Sequence, residues 1–422
     1  MRILHLIHQY LPEHIGGTEL YTSWLSEALS RRGHQVFIFY RRSAAGVGLE
    51  SRAESEGQIW AAWAGELSPT RRFRATFGDP AMLSAFEQVL DESQPDLVHI
   101  QHLMGHPTTL IEAIRRRGIP YLITLHDFWW VCANAQLLTN YSQEVCAGPR
   151  LCLNCARCAL ARAGRPELGL LRPVLAGPLL WRNVLLRRIM AGANRLIAPT
   201  TFVRDWYAAH GAPVDRLLTL SHGLEPPSVL STRTRKAIDP VRFAYIGGLA
   251  FPKGVHVLIE AFTGLPEDAE LWIAGDETTD PAYATHLREL ASDQVRFLGK
   301  LSRAQIWETL AQVDVVVVPS LWYETFAFVV SEAFAAGVPV VASRLGPLAD
   351  RVRDGVDGLL ASPGEVQALR RALHRFQQDS SLQPRLLAGI RPVFTLTEHV
   401  NEVEAHYQTI IQEEGVGKEG RG

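Results

Sequence analysis

Two glutamates, Glu324 and Glu332, bracket a short apolar run that begins with Thr325, Phe326, Ala327 and Phe328. A very apolar segment ends just before them at Pro319 and Ser320, and Ala333 to Gly337 follow. Their separation is about two helical turns, which predicts carboxylates near one face. A carboxylate ahead of a helix and a second one inside it can each accept hydrogen bonds from sugar hydroxyls. The helix N-terminus offers backbone N–H groups to a phosphate. Two glutamates alone would describe an ordinary solvated helix. The strand–loop–helix setting and the aromatics beside Glu324 favour a site instead.

A second constellation is Tyr245 to Val255, where Gly247 and Gly248 end an apolar strand and Lys253 precedes a helix that starts near Val255. Glycines let a backbone approach a phosphate closely, and a lysine adds a compact positive charge. The lysines of this chain are Lys236, Lys253, Lys300 and Lys418, the other basic residues being arginines. That rarity favours phosphate binding over a tight turn with a surface lysine. Gly16 and Gly17 sit between the first strand and the first helix and fit neither the spaced-glycine dinucleotide fingerprint nor a Walker loop. A ligand-facing loop and a plain turn suit them equally. His126 and Asp127 end another strand, where ligands gather in doubly wound sheets. His126 is expected to donate to a substrate hydroxyl, with Asp127 orienting it or capping a helix.

Two features stand apart. Cys152, Cys155 and Cys158 are spaced like metal ligands, with Cys146 or Cys132 completing four for a structural zinc; reduced thiols are the bland reading. Residues 168–190 mix leucines, Trp181 and arginines, among them Arg172, Arg182, Arg187 and Arg188. An anionic membrane surface suits that mixture, as does an amphipathic helix pair packed on the first domain, and the helix pair is the stronger expectation.

The elements that must position these residues alternate. Arg2–His8, Val36–Tyr40, Asp96–His99 and Tyr121–Leu125 read as strands, with helical spacing over Thr18–Arg32 and Ile111–Arg117. After the break at Asn140–Met190 the alternation resumes, with strands at Phe243–Ile246, Glu270–Ala274, Val295–Leu298, Asp314–Pro319 and Val338–Ala342. The fold class is therefore α/β, with two Rossmann-like domains facing a central cleft. The boundaries fall at 1–215 for the first domain, with the Cys-rich and basic insertion at about 132–190 and the last helix at 395–412, and at 216–394 for the second. The polar run Ser228–Pro240 reads as a linker, and Glu413–Gly422 as a fraying tail. The apolar stripe of the last helix, Val400, Val403, Tyr407, Ile410 and Ile411, must be buried somewhere.

A chain of 422 residues with a net charge of -2 gives no global reason to expect nucleic acid. No stretch is apolar and long enough to span a membrane, and Met1–Tyr10 reads as a strand and not a signal peptide. A cytoplasmic location follows, with a peripheral place at the inner membrane face as the alternative.

On these motifs the chain resembles glycosyltransferase family 4, retaining enzymes of the GT-B fold, over nearly its whole length. The resemblance implies that Glu324 contacts a donor sugar and Glu332 the ribose, that Lys253 neutralises a diphosphate, and that His126 lies near the donor sugar. It implies that Gly16 and Gly17 lie beside the phosphates, that Leu298 and Gly299 hold the base through backbone groups, and that the last helix crosses back to the first domain. The chain departs from the family where an arginine is often found at Gly248, a glycine at Ala327 and an asparagine at His222. Arg204 is a candidate to supply charge at the cleft. The implied reaction moves a hexose-type sugar from a nucleotide-diphosphate sugar to a glycan, lipid-linked or small-molecule acceptor, in cell-surface polysaccharide or glycoconjugate synthesis. No cofactor is required. A non-catalytic nucleotide-sugar binder, an epimerase of the same architecture and a membrane-docked scaffold are the rivals.

Overall fold

The computed structural model describes residues 1–228 and 239–419. Most of the expected linker, including Lys236, and the last residues of the tail lie outside the described residues. The chain forms two compact units. The first comprises Met1–Ser142, Ala147–Gly223 and Phe394–Gly422, and the second Gln143–Cys146 and Leu224–Val393.

The first unit holds eight strands: β1 Arg2–Ile7, β2 Gln35–Arg41, β3 Val47–Glu54, β4 Gly57–Ala64, β5 Leu97–Ile100, β6 Tyr121–Thr124, β7 Arg195–Ala198 and β8 Leu217–Thr219. Their order is β3-β4-β2-β1-β5-β6-β7-β8. The pairs are parallel except β3 with β4, an antiparallel hairpin at one edge. Both strands of that hairpin are missing from the sequence reading: β3 is mostly exposed and polar and shows no apolar run, whereas β4 is a buried apolar run that the reading passes over. The central strands are fully buried, as strands covered on both faces must be. The helix Leu396–Glu419 belongs to this unit. Its stripe of Val400, Val403, Tyr407 and Ile410 is buried, and the Tyr407 hydroxyl lies 2.6 Å from His99 Nδ1. Arg32 and His34 both pair with its Glu404. The expected frayed tail is instead helical through Glu419.

The second unit holds β9 Val241–Ile246, β10 Ala269–Ala274, β11 Val295–Gly299, β12 Val315–Val318, β13 Val340–Ser343 and β14 Gly358–Ala361. Its order is β11-β10-β9-β12-β13-β14, all parallel. This is the doubly wound order, and its direction reverses between β9 and β12. Phe243, Ile273, Val315 and Val341 from the strands pack with Leu258 and Phe262 from the helix Val255–Phe262. The helix Val366–Gln378 buries Leu369, Ala372, Leu373 and Phe376, an i, i+3, i+4, i+7 stripe.

Candidate active site

In the second unit the crevice at the switch point is framed by the loops after β9 and β12. Gly247 and Gly248 leave β9 at once. A 3-10 turn, Phe251–Lys253, then delivers Lys253, and Gly254 starts the next helix. Gly254 has φ +70, and a Cβ on it would lie 2.1 Å from the Pro319 carbonyl oxygen. No other residue fits both constraints. The close approach, with the Leu321 N–H donating to the Pro252 carbonyl at 2.8 Å, locks the two loops together.

Across that lock Lys253 Nζ lies 2.8 Å from Glu324 Oε1 and 3.1 Å from Oε2. Ser320 Oγ and Trp322 Nε1 also donate to Oε1, at 2.6 and 2.9 Å. Burial pushes the Glu324 carboxyl up, but the Lys253 charge and these hydrogen bonds outweigh it and hold the group below its ordinary range. Glu324 is therefore an ionised, acceptor-only group. Its Oε1 accepts three bonds, and Oε2 keeps lone-pair capacity for a hydroxyl. Glu332 lies inside the helix Phe328–Ala335 and pairs with Arg303. Because Glu324 stands in the loop before that helix, the two carboxylates do not share a helical face. They take separate cations. Ser320, Trp322 and Arg303 escaped the sequence reading because each lacks a local motif and is brought in by the loop or by another helix.

Gly248 has open space where a Cβ would stand, and its carbonyl accepts from Tyr245 Oη at 2.6 Å. Leu298 and Gly299 end β11, with Gly299 at φ +70 and its carbonyl accepting from the Gly275 N–H. Phe326 is buried, and Ala327 is left-handed at φ +57.

In the first unit His126 follows β6. Its Nε2 lies 2.8 Å from Gln101 Oε1, and Gln101 Nε2 lies 3.0 Å from His5 Nδ1. Burial, with the neighbouring His102, lowers the His126 pKa to about 3, so the ring is neutral. Nε2–H then donates to Gln101, which leaves Nδ1 the acceptor nitrogen. This differs from the expected donation to a hydroxyl. Asp127 bonds elsewhere, its Oδ2 to His102 Nε2 at 3.1 Å and its Oδ1 to the Trp129 N–H at 2.8 Å. Gln101, not Asp127, hydrogen-bonds and orients the His126 ring.

Gly16 is extended, and a Cβ there would sit 2.6 Å from Glu19 Oε2. The glycine thus makes room for a carboxylate curled over the N-terminus of its own helix, Gly17–Arg31. Glu19 is buried, with Oε1 3.7 Å from His8 Nε2. Neither Glu19 nor His8 stood out in the sequence. Arg204 pairs with its neighbour Asp205 at 2.7 Å.

The candidate zinc cluster is not assembled: among the described residues no three His, Cys, Asp or Glu side chains are placed to hold a metal. Cys152 precedes the helix Leu153–Arg162, which carries Cys155 and Cys158. Six helical residues rise about 9 Å, whereas thiolates on one zinc lie within about 4 Å of each other. Cys158 Sγ accepts the Asn140 N–H and Cys152 Sγ accepts from Asn183 instead. Cys146 falls in the second unit, and Cys132 ends the turn that begins at Phe128.

Residues 16–223 match the family model for the glycosyl transferase 4-like domain, and residues 231–388 the model for glycosyl transferases group 1. The chain is 26% identical over 402 residues to a D-inositol 3-phosphate glycosyltransferase of Xylanimonas cellulosilytica, covering 89% of this chain and 87% of that one. Its fold is similar to that of sucrose-phosphate synthase from Thermosynechococcus elongatus, with a TM-score of 0.72, 19% identity, and 97% and 99% of the two chains covered. Anabaena HepE, solved with UDP and glucose, gives a TM-score of 0.69 at 17% identity, with 97% and 100% covered. The chain belongs to the glycosyltransferases of the GT-B fold, family 4 type. It is an enzyme of that class.

Proposed function

We propose that this glycosyltransferase moves a hexose-type sugar from a nucleotide-diphosphate sugar to a glycan, lipid-linked or small-molecule acceptor, with retention, in the synthesis of a cell-surface polysaccharide or glycoconjugate. The observation that carries the reading is the Lys253–Glu324 pair, held at the switch point of the second sheet by the Gly254 contact. Lys253 and the adjoining loop N–H groups stabilise the diphosphate as it departs, where negative charge builds. Glu324 Oε2 accepts from a donor-sugar hydroxyl, Glu332 from the ribose, and the backbone of Leu298 and Gly299 borders the base. The C1–O bond to the diphosphate breaks, the C1–O bond to the acceptor forms on the same face, and the acceptor's proton passes to the departing phosphate oxygen. The first unit serves the acceptor, and His126 is a candidate for contact with a substrate hydroxyl.

Uridine is the first base to test, because the HepE structure holds UDP and glucose. Thermal shifts with UDP, GDP, ADP and their sugars identify the donor, since a ligand of the folded state raises the melting point. NMR of the product's anomeric carbon then reads the stereochemistry. An inverted anomer refutes retention. Release of an altered nucleotide sugar without acceptor supports an epimerase. Binding without turnover against every acceptor supports a non-catalytic binder.

A peripheral membrane contact through residues 168–190 is part of the proposal. No helix among the described residues is long and apolar enough to cross a membrane. The helix Arg172–Gly192 buries Leu179, Leu186 and Met190 but exposes Val174, Leu180 and Trp181, with Leu170 before it 96% exposed. Arg172 and Arg188 lie exposed on the same segment. Arg182 is not available to a membrane: it is buried over the Trp129 ring and donates to the Trp129 carbonyl. Liposome sedimentation with anionic and neutral vesicles, on wild type and a Leu170→Ser/Val174→Ser/Trp181→Ser variant, decides the contact.

A further inference from the structure

Ala327 has φ +57 and ψ 78, in the left-handed region that residues with a Cβ rarely occupy. It stands between Glu324 and the first turn of the helix Phe328–Ala335. One side chain ties this turn together. Arg351 ends the short helix Pro347–Arg351. Its guanidinium donates through one nitrogen to the carbonyls of Phe326 and Ala327, the latter at 2.9 Å. Through the other it donates to Ser331 Oγ at 2.6 Å. The guanidinium carbon lies 3.8 Å from the centroid of the Phe326 ring. Arg351 therefore engages both peptides of the left-handed turn, the ring before it and a hydroxyl one helical turn beyond it.

We infer that Arg351 is a positioning residue for donor binding, clamping the Phe326–Ala327 turn in the left-handed form that aims Glu324 and the N-terminus of the Phe328–Ala335 helix at the nucleotide sugar. The inference rests on the function proposed above. A planar fork with fixed donor directions suits this task, because two carbonyls and a hydroxyl are held at once. Burial lowers the Arg351 pKa to about 9, opposed by the Glu332 carboxylate, so the fork stays charged at neutral pH. Glycine at position 327 would adopt the turn without help. Alanine needs the clamp.

The test uses the full-length chain as wild type, Arg351→Met, Arg351→Lys, Ala327→Gly and the Arg351→Met/Ala327→Gly double variant. Hydrogen exchange, read without any ligand, is expected to run about tenfold faster over residues 324–332 in Arg351→Met and to be unchanged over β9 and β10. Donor KM, or the Kd for UDP, is expected to rise about tenfold in Arg351→Met while acceptor KM holds. Adding Ala327→Gly is expected to recover about fivefold of that loss, the Cβ penalty of a left-handed residue. Arg351→Lys, which keeps the charge but loses the fork, falls between. Unchanged exchange over 324–332, exchange raised evenly through the second unit, equal shifts in donor and acceptor KM, or no rescue by glycine each overturn the inference. If no nucleotide binds wild type, the functional reading fails and the exchange comparison still decides whether the clamp exists.

Discussion

The two units differ in the polar cluster each gathers. The first unit gathers buried imidazoles: His126, His222 and His399 around Tyr21, and His5 and His99 on the central strands, joined by Gln101 and Tyr407. Burial lowers His5 and His126 to about 3 and His399 to about 4. The second unit gathers formal charges: Lys253 with Glu324, Arg303 with Glu332, and Arg351 on two carbonyls. A neutral lattice can sort and orient hydroxyl groups. Fixed cations and preorganised N–H groups can receive charge that develops on a leaving diphosphate. The contrast supports the proposal that donor and acceptor are served by different units.

Acid should separate the units most. Each folded-state value above lies below the 6.5 of an unfolded histidine, and His106 adds a further site at about 3. The stabilisation from these groups is complete above pH 6.5 and is lost as pH falls from there towards 3 to 4. Each contributes up to about 1.4 kcal/mol per pH unit in that window. Hydrogen exchange at pH 7 and pH 5 should show the first unit opening well before the second. Equal loss in both units would erase the contrast.

Next comes Glu324→Gln, which keeps the shape and removes the charge that Lys253 faces. Transfer should fall by about 10²- to 10³-fold with the melting point little changed. Full activity in this variant would sink the assignment of Glu324. Gly254→Ala should cost about 2 to 3 kcal/mol, since it brings a Cβ onto the Pro319 carbonyl in a left-handed residue. The loss should appear in urea unfolding of the second unit and as a raised donor KM. A variant that keeps wild-type stability would show that the two loops are not locked. The smallest expected effect is Tyr407→Phe, which removes the hydroxyl beside His99 and should cost about 1 kcal/mol in the first unit alone.

Much of this molecule was legible beforehand. Five strands of the second unit announce themselves as short apolar runs, while the four-residue β14 does not, and the residues around Glu324, Glu332, Lys253 and Gly247 carry their signal in local spacing. A phosphate or sugar site made of consecutive loop residues leaves that kind of trace. Residues that act from a distance leave none. Arg351 reads as an arginine in a short helix, Gln101 and His8 as strand-end polar residues, and Glu19 as an ordinary first-turn acid. In the hairpin of β3 and β4 only the outer strand is silent, because it is polar.

The sequence by itself determined two doubly wound α/β units, the switch-point loops, and a rare lysine and a glutamate motif as separate candidates, because periodicity and loop chemistry are local properties of the chain. Only the tertiary structure decided partners. It showed Gly254 pressed on a carbonyl, His126 turned by Gln101 and not Asp127, and Ala327 held left-handed under Arg351. It also placed Cys155 and Cys158 along a helix that Cys152 precedes, with no three metal-ligating side chains gathered among the described residues. A thiol or guanidinium carries the same sequence letter whatever it touches, and what it touches is set by which strand ends and helices the fold brings together.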